Sequence, residues 1–193
     1  IEAVLLLLDQ TPAVVHSAPA PKQMPKPKTF ALPEAAADNR RVFAYLLHRG
    51  IDRKVISDCI RAGILYESAR FHNAVFVGRD ENGVPRYAFL RGTLTNAEHS
   101  FRAEVAGSDK RYGFCLPPEG ESQRVAVYEA AIEVLAHLSL EQTRDKYRLS
   151  LGGIYAPKEG FNASSFKKPA ALTAFLEQHP NVCLLYTSDA ADE

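Results

Sequence analysis

Residues 124–140, RVAVYEAAIEVLAHLSL, decide how this chain folds. Val125, Val127 and Tyr128 form a short β-rich apolar run with no charge inside it. Ile132, Leu135, Ala136 and Ser139 then fall at i, i+3, i+4 and i+7, the spacing of one helix face. The period changes from strand-like to helix-like around one carboxylate, Glu129. A buried strand thus delivers a single acid to the start of an amphipathic helix, the place where open α/β sheets bind ligands.

Downstream, residues 147–151 repeat the short strand pattern and run into Gly152 and Gly153, which permit a tight turn or close backbone approach. Residues 168–179 read as a second helix, with Ala171, Leu172, Phe175 and Leu176 on one face. Residues 181–185 begin another strand. The series β-α-β-α-β predicts a parallel sheet with right-handed crossovers.

Upstream, residues 38–67 suggest two short helices. Val42, Tyr45 and Leu46 form one apolar face, Gly50 breaks the pattern, Asp52 is an N-cap, and Val55, Ile56, Cys59 and Ile60 form the next face before Gly63. Such a pair fits a DNA-reading helix-turn-helix, and also the commoner structural helix hairpin. Residues 74–77 and 85–90 then form a β-hairpin around Asn82-Gly83. Six of the twelve prolines fall between Pro12 and Pro33, interleaved with Lys22, Lys26 and Lys28, which reads as an extended linker.

Composition narrows the class. With 193 residues, 46% hydrophobic and 24% charged, the chain can bury a real core. The apolar run at residues 4–8 is far short of the roughly 20 residues of a membrane helix, so a cytoplasmic location and no membrane partner are expected. Cys59, Cys115 and Cys183 show no C-x-x-C spacing, which excludes a zinc or disulfide framework and leaves reduced structural thiols. His137, on the helix after Glu129, is placed to transfer protons, although a surface histidine is the simpler reading. The net charge of zero hides an asymmetry. Residues 39–111 hold 13 Lys/Arg against 8 Asp/Glu, and residues 112–193 hold 7 against 11. A basic half beside an acidic half suits a phosphate backbone approaching carboxylates, and a scattered solvated surface fits equally. Arg91, with Lys110 and Arg111 between Gly107 and Gly113, are the candidate phosphate contacts; Tyr112 either stacks on a base or packs its own loop.

The block VYEAAIEVLAHLSL, the SLGG at residues 150–153 and the helix leading into NVCL resemble the first half of a Toprim domain, the acid-bearing α/β module of primases, topoisomerases and some nucleases. YLLHRGID, LYE, HNAVFVGRDENG, RGT and GSDKRYGF, in that order, resemble the uncharacterised domain that precedes Toprim in primase-like proteins of conjugative and other mobile elements. The resemblance implies that Glu129 is the general acid or base of phosphoryl transfer and a possible metal ligand. Glu133 stands at a position often acidic in the family and is a weaker ligand candidate. The family's Asp-x-Asp pair after the third strand, which would hold Mg²⁺, is absent: the chain reads CLLYTSDAADE, and Asp189 and Asp192 lack that spacing. Residues 183–193 also resemble a translated transposase-type sequencing adapter and are read as a non-native tail. Since the chain opens on Ile1 and its one methionine, Met24, lies in the proline-rich stretch, it is read as a fragment.

The expectation is therefore an α/β (α+β) chain: residues 1–37 an upstream end and linker, 38–116 a small helix-pair and β-hairpin domain, 117–182 the first half of a Toprim-like parallel β-α-β sheet, and 183–193 the tail. The parent is read as a primase-like protein of a mobile element, transferring phosphoryl or nucleotidyl groups with Mg²⁺ on DNA or a primer RNA/DNA hybrid, alongside other replication or conjugation proteins. Without Asp-x-Asp the chain itself is expected to be inactive. A non-catalytic DNA-binding or scaffold module and a Toprim nuclease are the alternatives.

Overall fold

Two four-stranded sheets organise the computed structural model, which describes residues 29–94, 101–153 and 168–185. Among the described residues two helices come first, α1 (Arg40–His48) and α2 (Arg53–Arg61). α1 buries Val42, Tyr45 and Leu46, and α2 buries Val55, Ile56 and Cys59, the faces that their spacing predicts. Asp52 caps α2 by accepting from the N–H groups of Lys54 (2.8 Å) and Val55 (3.3 Å). The N-cap residue of α1, Asn39, makes no side-chain cap bond, and the N–H of Arg40 donates to the neighbouring Asp38 carboxylate at 3.0 Å. The next two N–H groups, from Arg41 and Val42, donate at 3.0 and 3.1 Å to the carboxylate of Glu67, which is 2% exposed. A buried acid from the first strand thus anchors the N-terminus of this helix, where the helix dipole favours negative charge.

The first sheet is an antiparallel meander of β1 (Leu65–Glu67), β2 (Ala74–Arg79), β3 (Pro85–Arg91) and β4 (Arg102–Glu104), paired in chain order. Its central hairpin turns where Asn82-Gly83 predicts, with Gly83 at φ +76° and the Asp80 carboxylate accepting from the N–H groups of Asn82 and Val84. Alternation sends Ala74 and Phe76 to the main core and Val75 and Val77 to the opposite face.

The second sheet comprises β5 (Cys115–Leu116), β6 (Arg124–Tyr128), β7 (Tyr147–Ser150) and β8 (Cys183–Leu185), in the order β5-β7-β6-β8. β6 is parallel to both β7 and β8, as the β-α-β-α-β series predicts. β5 adds an antiparallel edge that the sequence reading lacks. The crossovers carry α3 (Ala131–Glu141) and α4 (Ala170–Gln178). Ala126 and Tyr128 face the core that contains α3, while Val125, Val127 and Leu149 pack with Phe175 of α4. Both faces of the sheet are covered, the usual condition of parallel strands. Cys183, Leu184 and Leu185, the first residues read as a non-native tail, form the β8 ladder with Arg124, Val125 and Ala126. Asp189 and Asp192 lie outside the described residues. No described helix is long and apolar enough to cross a membrane.

One helix face needs correction. α3 buries Ala131, Val134, Leu135 and Leu138, one position away from the expected Ile132, Leu135, Ala136 and Ser139. The helix is apolar nearly all round because it meets more than the sheet. Ile132 and Ala136 are half-buried against the same core, and the Ser139 hydroxyl accepts from the N–H of Asp52 at 2.9 Å. The apolar core itself is continuous from Val42 to Leu138, joining α1, α2, the first sheet, β6 and α3.

Two glycines make the seam between the sheets. A Cβ on Gly78 of β2 would lie 1.8 Å from the Tyr112 carbonyl oxygen, and one on Gly113 would lie 2.3 Å from the Ser150 carbonyl oxygen. The segment holding Tyr112 and Gly113 is thus pinched between β2 and β7. Phe114 follows, packing edge-on to Phe76 at 5.5 Å and accepting the Ser150 N–H at 2.8 Å.

Beneath α3 lies a buried charge cluster. Arg148, 1% exposed, is hydrogen-bonded to Glu141, which also takes Lys146 Nζ at 2.8 Å; Asp145 is 3.8 Å from the guanidinium. Partial burial pushes the Glu141 carboxyl up, but hydrogen bonds from Lys146 and Arg148 outweigh that and hold it below its ordinary 4.5. Its contribution to stability is therefore full above pH 4.5 and is lost as pH falls through the lowered value. Glu141→Ala, which strands the Arg148 charge, is expected to reduce the unfolding free energy by about 2 kcal/mol in urea denaturation. Arg148→Met, which removes the buried charge itself, is expected to cost less; the opposite ranking would show that the pair is a net stabiliser.

Candidate functional site

The carboxyl ends of β6 and β7 open onto a cleft of about 380 Å³ whose opposite wall is the first sheet. Glu129, the residue after β6, stands at its edge. The backbone of Glu129 is held on both sides: its N–H donates to Glu133 Oε2 at 3.0 Å, and its carbonyl accepts the Gly153 N–H at 3.0 Å and the Ser150 hydroxyl at 3.4 Å. Its side chain is exposed and makes no hydrogen bond or ion pair among the described residues. A fixed backbone carrying a free carboxylate is what a proton-transfer or ligand group requires.

Glu133 has a more local duty. Oε2 also accepts the Ala130 N–H at 3.3 Å, so the carboxylate closes half of a capping box at the start of α3. Gly152 and Gly153 form the turn that their sequence predicts, at φ +73° and +112°. A side chain at Gly152 would meet the Tyr87 hydroxyl at 2.6 Å, so the loop after β7 touches the wall of the first sheet there.

That wall is basic. Arg91 of β3 and Arg102 of β4 are register partners, and both line the cleft with Arg49, the C-cap of α1. Among the described residues, none of these three guanidiniums lies in ion-pair distance of a carboxylate. The floor between arginines and acid is aromatic, formed by Phe76, Phe89 and Phe114. Arg91 Nε donates to the Tyr45 hydroxyl at 3.2 Å, and the Arg49 guanidinium lies 5.8 Å from the centre of the same ring.

Of the sequence-derived candidates, the cleft brings together Glu129, Glu133, Arg91, Gly152 and Gly153, and it excludes Lys110 and Arg111. Lys110 is paired with Glu104 at 2.9 Å. Arg111 is paired with Asp109 at 2.6 Å, which holds that carboxyl below its ordinary range, and its guanidinium lies 5.6 Å from the Tyr112 ring centre on a separate hollow. Gly113 serves the seam. His137 lies off the cleft, with its ring 5.1 Å from Tyr128 and 3.2 Å from Glu141; partial burial lowers its pKa from the ordinary 6.5. Arg49 and Arg102 are additions from the structure. Arg49 has a faint signal in the RGID turn, and Arg102 has none, since only the β3–β4 register brings it to Arg91.

The donor set meets only part of what the Mg²⁺ implied by the sequence resemblance requires. No group of three or more His, Cys, Asp or Glu among the described residues could hold an ion. Glu129 offers one free carboxylate and Glu133 is engaged as a cap, so the described residues do not complete a magnesium site by themselves. Magnesium commonly takes one or two carboxylates together with substrate phosphates and water, and Glu129 suits that limited role.

The mixed α/β fold with its two sheets resembles the Toprim-containing catalytic domains of primases. Residues 44–121 match a family described as "Protein of unknown function (DUF3991)". Among solved structures, the primase fragment of the bacteriophage T7 primase-helicase protein aligns over 88% of this chain at 17% identity, with a TM-score of 0.50. The RNA polymerase domain of Mycobacterium tuberculosis primase DnaG, solved with a double-stranded DNA oligomer bearing a 6-nucleotide overhang, aligns over 80% at 12% identity, also at 0.50. The chain spans 66% and 59% of the lengths of these two proteins. No curated protein matches it by sequence.

Proposed function

We propose that this chain is part of a primase-like, DNA-processing protein of a mobile element, working in the cytoplasm, and that its cleft receives the phosphates of a single strand or nucleotide. One observation carries the reading: three arginines without carboxylate partners among the described residues converge opposite a free carboxylate at the carboxyl end of a parallel sheet. Uncompensated guanidiniums draw phosphate oxygens, which they can grip through two parallel hydrogen bonds. Phe89, the partly exposed ring of the floor, gives a base or sugar an apolar surface.

In this reading Arg49, Arg91 and Arg102 fix the phosphates, and Glu129 accepts the proton of the hydroxyl that attacks phosphorus. Bound Mg²⁺ would supply neutralisation of charge on the phosphoryl oxygens. The remaining ligands, the partner proteins and the choice between synthesis and cleavage belong to the intact parent.

The test is binding of a fluorescent single-stranded oligonucleotide across a salt series. The triple substitution Arg49→Gln, Arg91→Gln, Arg102→Gln is expected to weaken binding at least tenfold and to flatten the log–log salt slope by about 2, given roughly 0.7 per phosphate contact on single strands. Lys110→Gln with Arg111→Gln is expected to change little. The reverse ranking would move the interface to the hollow beside Tyr112 and end this assignment.

A further inference from the structure

Tyr45 belongs by its spacing to the apolar face of α1, with Val42 and Leu46, and the structure buries it to 7% exposure. Phenylalanine would fill that space as well. A buried hydroxyl is unfavourable unless it is hydrogen-bonded, and the partner it has is the Nε of Arg91, at 3.2 Å. The face of the same ring lies under the guanidinium of Arg49, 5.8 Å from its centre. Both arginines line the cleft. One side chain therefore touches two of its three cations, using the hydroxyl for one and the ring for the other.

We infer that Tyr45 is a positioning residue that holds Arg91 and Arg49 ready for phosphate, an inference that rests on the phosphate-binding reading of the cleft. Arginine is a long side chain with considerable rotamer entropy to lose when it is ordered. Restraining it before the ligand arrives moves that loss out of the binding step. The atom restrained also matters. With Nε committed to Tyr45, the two terminal nitrogens of Arg91 remain as a planar fork, the pair that can meet two phosphate oxygens end-on. Lysine at that position has one nitrogen and cannot satisfy the hydroxyl while reaching a phosphate with the same geometry. The cation–π contact with Arg49 restrains its partner without using any of its N–H groups. The platform is itself anchored, because Glu67 accepts the N–H groups of Arg41 and Val42 in the first turn of α1.

The experiment is a double-mutant cycle read by single-strand oligonucleotide affinity at fixed salt, with a melting curve for every variant. Tyr45→Phe removes the hydroxyl and keeps the ring. It is expected to weaken binding about three- to tenfold, the size of one lost hydrogen bond, and to add nothing in an Arg91→Gln background. Tyr45→Leu removes the ring as well, and its further loss is expected to vanish in an Arg49→Gln background. Arg91→Lys is expected to behave like Arg91→Gln. An equal effect of Tyr45→Phe with and without Arg91 would show general packing and overturn the inference. So would wild-type affinity in Tyr45→Phe or in Arg91→Lys, while the phosphate reading survived through the loss in Arg91→Gln. If Arg91→Gln and Arg49→Gln both bind normally, the cleft reading itself falls and the inference falls with it. Should Tyr45→Phe melt early, Arg91→Lys decides alone, since it leaves the core untouched.

Discussion

Gly78→Ala is expected to give a chain that does not fold. An alanine Cβ there would sit 1.8 Å from the Tyr112 carbonyl oxygen and 2.9 Å from its carbon, and the obstacle is backbone that cannot rotate away. Relief requires β2 and the segment after β4 to separate, which also pulls on Gly113, packed against the Ser150 carbonyl on the other sheet. Overpacking in a well-packed core typically costs about 1–3 kcal/mol when side chains can yield. Here neither side can, so a loss well beyond about 4 kcal/mol is expected, enough to exhaust a stability at the lower end of the roughly 5–15 kcal/mol available to a domain. Gly83→Ala is the control. Its φ of +76° is strained for alanine, but nothing lies within 4 Å of the added atom, and the cost is expected near 1–2 kcal/mol. Circular dichroism melts of the two variants check the contrast. A Gly78→Ala protein melting close to wild type would mean that the sheets meet loosely, and that the cleft between them is not a fixed shape.

On the primase-like reading proposed above, Glu129→Gln is expected to reduce Mg²⁺-dependent nucleotide incorporation about 10²–10⁴-fold, the range for losing a positioned acid–base group. Glutamine keeps the shape and removes both the charge and the proton acceptor. Because the side chain is exposed and makes no hydrogen bond or ion pair among the described residues, fold and melting temperature should be unaffected. Single-strand affinity should hold or tighten slightly, since a negative charge leaves the neighbourhood of bound phosphates. Incorporation unchanged by the substitution would remove Glu129 from the mechanism. A wild-type parent that binds strands in a salt-sensitive manner but joins no nucleotides would instead favour the DNA-binding or scaffold reading. Cleavage in place of incorporation would favour the nuclease.

Much of this architecture is legible in the residues alone, for reasons that also mark where legibility stops. The β6-to-α3 switch shows because five strand residues and eleven helix residues carry distinct periods around one acid. The central hairpin shows because Asn82-Gly83 is a local signal. By contrast, β1 and β4 have three residues each and β5 has two, too few to display any period. The buried face of α3 is displaced by one position because AAIEVLAHLSL is apolar on several sides, and only the packing of α2 and the sheet around it chooses among them. At the site, Glu129 and Arg91 could be singled out because each follows a strand pattern. Lys110 and Arg111 drew attention through neighbouring glycines, yet their carboxylate partners Glu104 and Asp109 neutralise them, and pairing of that kind is largely tertiary. Arg102 reaches the cleft only through register, and Tyr45 shows its second role only once its hydroxyl has a neighbour.

The strand order has a consequence for how the protein comes into being on the ribosome. In the first sheet each strand pairs with its predecessor, so its hydrogen-bond ladder is complete once Glu104 has emerged. In the second sheet, β6 waits for Tyr147 and then Leu184 before it is flanked on both sides. Pairings of that sequence separation form late. The basic wall is therefore assembled ahead of the strand that sets Glu129 in place, and during synthesis a growing chain passes through a stage in which the arginines stand exposed before the acid joins them.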